Sequence, residues 1–353
     1  MRDESLAFLR ELLEAPSPSG YEQPVQEIWR RRTRPFVDSL RTDVHGNVIA
    51  AIRPEAEPRL LLAGHCDELG FLVQHVADEG FIYFSAVGGH DVGIIPGRRV
   101  LIHSRQGPIP GVIGKRAIHL MTQEERKKVP ELHEIWIDIG ASSRDDALSR
   151  VAVGDPITYE QGFRPLQGEL AVSRAFDDKA GAFVVSEVLR LVRGRGDLKV
   201  GLYGVSTVQE EIGLRGATTS TFGIDPTVGV AIDVTHATDH PDTDKRKIGD
   251  IRLGRGPVIC RGANVNPRVF ALLAEVAEQE KIPYQVEAAA RGTGTDANAI
   301  QLSRAGVAAG LIGLPLRYMH TPSEIVSLSD LEHAAELLAA FARRIEPETP
   351  LTP

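Results

Sequence analysis

The chain has 353 residues, 42% hydrophobic and 25% charged, with 48 acidic against 40 basic side chains and a net charge of −8. This composition excludes disordered, collagen-like and coiled-coil classes, and the acidic balance argues against a nucleic-acid binder, which carries a basic face. At about 150 residues per domain, the length predicts two domains, or one large domain with an insertion.

Leu6, Leu9 and Leu13 at helical spacing, with Phe8 and Leu12 beside them, predict an amphipathic helix over residues 5–14. The acidic residues in this segment are incompatible with a signal peptide. Pro16, Pro18 and Gly20 break the pattern, and a second helix is expected over 22–33. The apolar run 59–64 leads into His65. Residues 71–161 then read as β-rich, with short strands at 71–73, 81–84, 99–102 and 135–139. Beyond them a helix is predicted at 177–192, and an apolar run at 199–208 leads into Gln209-Glu210-Glu211. A run at 228–232 leads into Asp233, helices follow at 267–280 and 296–304, and a run at 308–314 precedes His320. A last helix covers 329–344, and 346–353 reads as a loose tail.

Short apolar runs alternating with helices predict an α/β fold with a mostly parallel sheet and helices on both faces. That domain takes residues 1–70 and 162–353; residues 71–161 form a small inserted β-rich domain. The longest uncharged apolar run, 305–316, has 12 residues, against about 20 for a membrane span. Cys66 and Cys260 offer neither a disulfide framework nor a thiolate metal site, so a reducing cytoplasm is the expected compartment.

Five chemical sites fall at the ends of predicted strands or the start of the next helix: His65-x-Asp67, Asp177-Asp178, Glu210-Glu211, Asp233 and His320. Ligands of open parallel sheets bind outside the carboxyl ends of the strands, so these sites converge. Imidazole and carboxylate donors without cysteine suit zinc, cobalt or manganese, and mixed donors point to a catalytic rather than a structural ion. Asp67, two residues from His65 on an extended chain, shares its face and can orient the imidazole. Cys66 then points the other way, into the core. Adjacent Glu210 and Glu211 can divide ligation and proton transfer. Taken singly, Asp177 and Asp178 would be helix caps and His320 a packed histidine; together they favour ligation. His236, Asp239, His240, Asp242 and Asp244 read as a polar loop near the site, and Gly292 to Asp296 as a tight turn feeding a helix cap. There is no dinucleotide fingerprint between a strand and a helix, and no nucleophile elbow.

The ordered motifs HCDELGF, AFDDKAG, VQEEIGLRGA, AIDVTHATDHP, GTGTDANA and YMHTPSE, with PGRRV, GVIG and DIGASSRDDA in the insertion, resemble metallopeptidase family forty-two, the tetrahedral and glutamyl aminopeptidases. The resemblance runs from about residue 6 to 344. It implies a dinuclear zinc exopeptidase fold and two divalent ions per chain, most simply zinc with cobalt as the alternative. In that scheme Asp177 bridges both ions, His65 and Asp233 complete one, and Glu211 and His320 the other. Glu210 is the general base and Asp67 the partner of His65. The implied reaction is removal of N-terminal residues from short peptides by metal-activated water. The insertion would form dimers that assemble into a tetrahedral homododecamer. A deacylase or carboxypeptidase could use the same site. A non-catalytic oligomeric binding protein is the reading from a different class, and the filled site argues against it. Some relatives carry a cellulase label, but glycoside hydrolysis normally uses a metal-free carboxylate pair.

Overall fold

The apolar runs become strands because both of their faces are buried. Gly201–Thr207, Arg59–His65, Val228–His236 and Ala308–Arg317 lie side by side in that order, all parallel. Leu60 and Leu62 pack into the core shared with Phe183, Val184 and Val188 of the helix Phe176–Arg193, whereas Leu61 and Ala63 pack with Ile224 and Ile300 on the other side. The period of two along one strand thus divides its side chains between two helical layers. In the computed structural model, which describes residues 1–195 and 197–353, these strands are the centre of an eleven-stranded sheet.

The expectation of a mostly parallel sheet describes that centre. The flanks are antiparallel. Val48–Ile52 and Ser39–Thr42 extend one side. Glu324–Ser327, Leu170–Ser173 and Arg164–Pro165 extend the other. Val258–Gly262 pairs antiparallel with Ala308–Arg317 and carries Gln285–Ala289 in parallel. The final residues are not loose: the Leu351 carbonyl accepts from Asn266 Nδ2 at 2.8 Å, and the Leu351 side chain packs on the core. Among the described residues no helix is long and apolar enough to cross a membrane.

Contacts divide the chain into two units: Met1–Asp67 with Gly162–Met319 and Ser323–Pro353, and Glu68–Gln161 with His320–Pro322. The second unit is built on a closed barrel of Gly70–Val76, Ile82–Val87, Trp136–Asp138, Gly107–Gly114, Arg99–Ser104 and Pro156–Tyr159, in that order. Phe71, Ile82, Phe84, Val100, Ile102, Ile137 and Ile157 fill it. A β-rich insertion of this size would be expected to leave strand edges open, with Ile82 and Phe84 exposed along with Phe81. Closure corrects that: Ile82 and Phe84 are buried inside, and Phe81 alone of the three is exposed, at 37%. Pairing the last strand with the first removes the edges.

Candidate metal centre

His65 is the last residue of its strand, and the glycine before it sets what lies beside it. A Cβ at Gly64 would come within 2.6 Å of the Ala182 nitrogen. The helix Phe176–Arg193 therefore packs directly on the strand backbone. Its first turn is not helical: Asp177 and Asp178 have ψ of 106° and 38°. Asp178 Oδ2 accepts from the His65 amide at 3.2 Å and its Oδ1 from the Gly181 amide at 2.9 Å. This lock brings Asp177 Oδ1 to 3.4 Å from His65 Nε2.

Two more carboxylates face the same nitrogen, Glu210 at 3.7 Å and Asp233 at 3.9 Å. The other ring nitrogen, Nδ1, lies 3.1 Å from the Asp67 carbonyl and 3.4 Å from its carboxylate. Asp67 is fully buried and accepts from the amides of Glu210 and Glu211 at 3.0 and 3.1 Å. A single carboxylate thus orients the imidazole and ties it to the turn that carries both glutamates.

Two groups bring ligand atoms within 4.8 Å of one another: His65 with Asp178 and Asp233, and His65 with Asp177 and Glu211. Their electrostatics suit a cation. Burial, with Asp177 and Asp296, pushes Asp233 up to about 8. Burial, with Asp233, Asp296 and Asp67, pushes Glu210 up to about 9. Glu211 and Asp178 are driven upward by burial and by neighbouring carboxylates. Burial disfavours a charged His65, but Glu210, Asp177 and Asp67 outweigh it and raise its pKa. Crowded carboxylates with one imidazole and no thiolate are the donor chemistry of a borderline or hard divalent ion.

Residues 46–337 match the model of the M42 glutamyl aminopeptidase family. The chain belongs to that family. A lysyl aminopeptidase of Pyrococcus furiosus is 33% identical, over 96% of this chain and 97% of its own. The TET aminopeptidase from a marine-sediment thaumarchaeote superposes with a TM-score of 0.94 at 35% identity, covering 98% of both chains. The TET1 peptidase of Pyrococcus horikoshii, which assembles into a tetrahedron or a large octahedral shell, gives 0.85 at 30% identity, covering 97% of this chain and all of the other. As an M42 peptidase the chain is a metal-dependent hydrolase of peptide bonds, an aminopeptidase.

Of the seven residues picked out from the sequence of this aminopeptidase, six gather around His65 in the first unit: His65, Asp67, Asp177, Glu210, Glu211 and Asp233. His320 belongs to neither ligand group. It lies in the turn after Ala308–Arg317 at φ 59° and clusters with the second unit. Two acids of the cluster around His236 serve the local structure: Asp239 accepts from Arg317 at 2.8 Å and from the Leu253 amide at 3.1 Å, and Asp244 caps the short helix Lys245–Ile248. Cys66 is buried in the core, as expected.

Two buried acids were underestimated in sequence. In sequence Asp296 belongs to a tight turn feeding a helix cap, in a loop that the family resemblance sets beside the substrate pocket. Thr295 makes the cap, while Asp296 is buried and accepts from Thr207 Oγ1 at 2.6 Å. Burial lifts Asp296 to about 6. Glu324 accepts from the Asp177 amide at 3.1 Å. Their signal was present in GTGTDANA and YMHTPSE, but nothing in spacing distinguishes a buried acid from a capping one.

Proposed function

We propose that the chain is a co-catalytic aminopeptidase that binds two divalent ions and removes N-terminal residues from short peptides. The convergence of Asp177, Glu210 and Asp233 on His65 Nε2, at 3.4, 3.7 and 3.9 Å, carries the reading. His65, Asp177, Glu211 and Asp233 would hold the ions, and the family resemblance gives Asp177 a part in both. The family resemblance adds His320 as a further ligand. Zinc is the first choice and cobalt the second, because both accept the same nitrogen and oxygen donors. Asp178 is read as an anchor rather than a ligand, since both of its oxygens already accept backbone amides.

When bound, the ions would polarise the scissile carbonyl and lower the pKa of the attacking water. Glu210 takes the proton from that water at its carboxylate and returns it to the leaving amine. Asp67 holds His65 Nδ1 and so turns Nε2 toward the site. The assembly of the TET1 relative supports a homo-oligomer, and we extend this to a dodecamer that depends on residues 71–161. Two buried thiols, Cys66 and Cys260, suit a reducing cytoplasm.

Hydrolysis of a panel of aminoacyl-anilides, with and without chelator and alongside elemental analysis, tests the reading. Glu210→Gln should retain its ions and lose about 10²–10⁴-fold in kcat, the range of a general base. Glu211→Gln should instead lower metal content. Near wild-type activity of Glu210→Gln at saturating metal would remove the base assignment.

A further inference from the structure

The turn that carries Glu210 runs from the end of Gly201–Thr207 to the helix Arg215–Ile224. Side chains hold it. Four consecutive amides each donate to a side-chain oxygen: Val208 to Asn47 Oδ1 at 3.1 Å, Gln209 to Glu22 Oε1 at 3.1 Å, Glu210 to Asp67 Oδ1 at 3.0 Å and Glu211 to Asp67 Oδ2 at 3.1 Å. Gln209 adopts φ 55°, a left-handed conformation that a non-glycine residue keeps only when its surroundings impose it.

Two of these supports come from one stretch, Ser19-Gly20-Tyr21-Glu22, between the helices Asp3–Glu14 and Gln23–Thr33. Glu22 reaches the turn directly. Ser19 reaches it through Asp67, donating from Oγ to Oδ2 at 2.7 Å. Glu22 is itself fixed, since its Oε1 also accepts from the Gly20 amide at 2.7 Å. Its carboxylate does not serve the helix that begins at the next residue, because as N-cap it makes no capping hydrogen bond there. A carboxylate only 4% exposed is costly to bury, and burial with Asp67 nearby pushes it up to about 7.

We propose that Glu22 and Ser19 are positioning residues for the catalytic turn: Glu22 fixes the left-handed Gln209, Ser19 fixes Asp67, and together they hold the Glu210 carboxylate where it takes its proton. The inference rests on the reading of Glu210 as general base.

The test compares Glu22→Leu and Ser19→Ala with Glu22→Gln and Ser19→Thr, in the full metal-loaded chain. The first pair should lose about 10–100-fold in kcat, as residues that orient active-site groups typically do. KM should stay within about twofold and metal content should not change, because the loss falls on the transition state. Glu22→Gln and Ser19→Thr, which keep the acceptor oxygen and the hydroxyl, should recover most of kcat. In a Glu210→Gln background Glu22→Leu should cost nothing further, since residues acting as a unit are not additive. Amide hydrogen exchange at Gln209 should accelerate in Glu22→Leu even without metal. Wild-type kcat in both Glu22→Leu and Ser19→Ala, an equal loss in both backgrounds, or unchanged protection of the Gln209 amide would overturn the proposal. If Glu22→Leu does not fold, Ser19→Ala, which deletes a single oxygen, carries the same comparison. Wild-type activity in Glu210→Gln itself would mark a failure of the base reading; an inactive Glu210→Gln beside fully active Glu22 and Ser19 variants would mark a failure of this proposal alone.

Discussion

Asp177 and Asp178 are adjacent, buried and chemically identical, yet their backbone surroundings give them different work. Asp178 spends both oxygens on the amides of His65 and Gly181, whereas Asp177 turns an oxygen toward His65 Nε2. Asp177→Ala should therefore lose both ions by elemental analysis, and Asp178→Asn should retain them while losing about 1–3 kcal/mol of stability, the cost of an unsatisfied buried polar group. Retention of both ions in Asp177→Ala would refute the shared-ligand role. Such a division is invisible in sequence, where two acids before a helix read alike. His65, Asp67 and the Glu210-Glu211 pair were legible because each ends an apolar run. Glu22 and Asn47 were not, because neither spacing nor composition marks a side chain that holds a distant backbone.

His90 is a second residue whose state is decided by its surroundings. It stacks on Phe71 at 4.4 Å, and its Nε2 donates to the Gly70 carbonyl at 2.9 Å. Burial, assisted by His320, pushes it down to about 4 from an ordinary 6.5. Between those values the unfolded chain binds more protons than the folded one. The stability His90 contributes is thus complete above pH 6.5 and lost as pH falls through about 4. His90→Gln keeps a donor at the same place without the charge change. Wild type should lose about 1–3 kcal/mol more than His90→Gln between pH 7 and pH 4, measured by denaturant unfolding. Parallel curves would refute this.

At the scale of elements, the site depends on how closely one helix approaches one strand. Gly64 permits that approach, since a Cβ there would meet the Ala182 nitrogen at 2.6 Å, while Gly181 leaves room for the Asp178 carboxylate, whose Oδ1 a Cβ there would meet at 2.7 Å. Gly64→Ala should force the strand Arg59–His65 and the helix Phe176–Arg193 apart, costing about 1–3 kcal/mol for overpacking. It should also weaken metal binding, because it shifts His65 against Asp177. Unfolding and metal titration check the two effects, and unchanged metal affinity would uncouple the packing from the site. The parallel centre was readable because its strands are continuous apolar runs. The flanking strands were not. Ser39–Thr42 is mostly exposed and only four residues long, so it carries no periodicity to detect, and its pairing with Val48–Ile52 is decided by contact alone.

At the scale of the whole molecule, the open question is assembly. The barrel closes its own strands, so exposed edges supply no drive for association. Exposed apolar side chains remain on that unit, among them Leu120 at 73% and Val153 at 63%, and the family's TET1 member forms shells. Light scattering on the full chain should give a homo-oligomer, a dodecamer on the extended reading, and replacement of residues 71–161 by a short linker should abolish it. A monomer at micromolar concentration with metal bound would end the proposal. What the amino-acid order determined by itself was the α/β class, the inserted β-rich segment, the family and the convergence of acids and histidine at strand ends, because periodicity and local motifs encode these within short windows. Only the tertiary structure decided that the barrel closes, that Asp178 and Asp177 part company, that the final residues dock, and that Glu22 and Asn47 accept amides of the turn that carries Glu210. Each of those outcomes is a contact between residues far apart in sequence, fixed by packing and hydrogen-bond geometry that no local pattern contains.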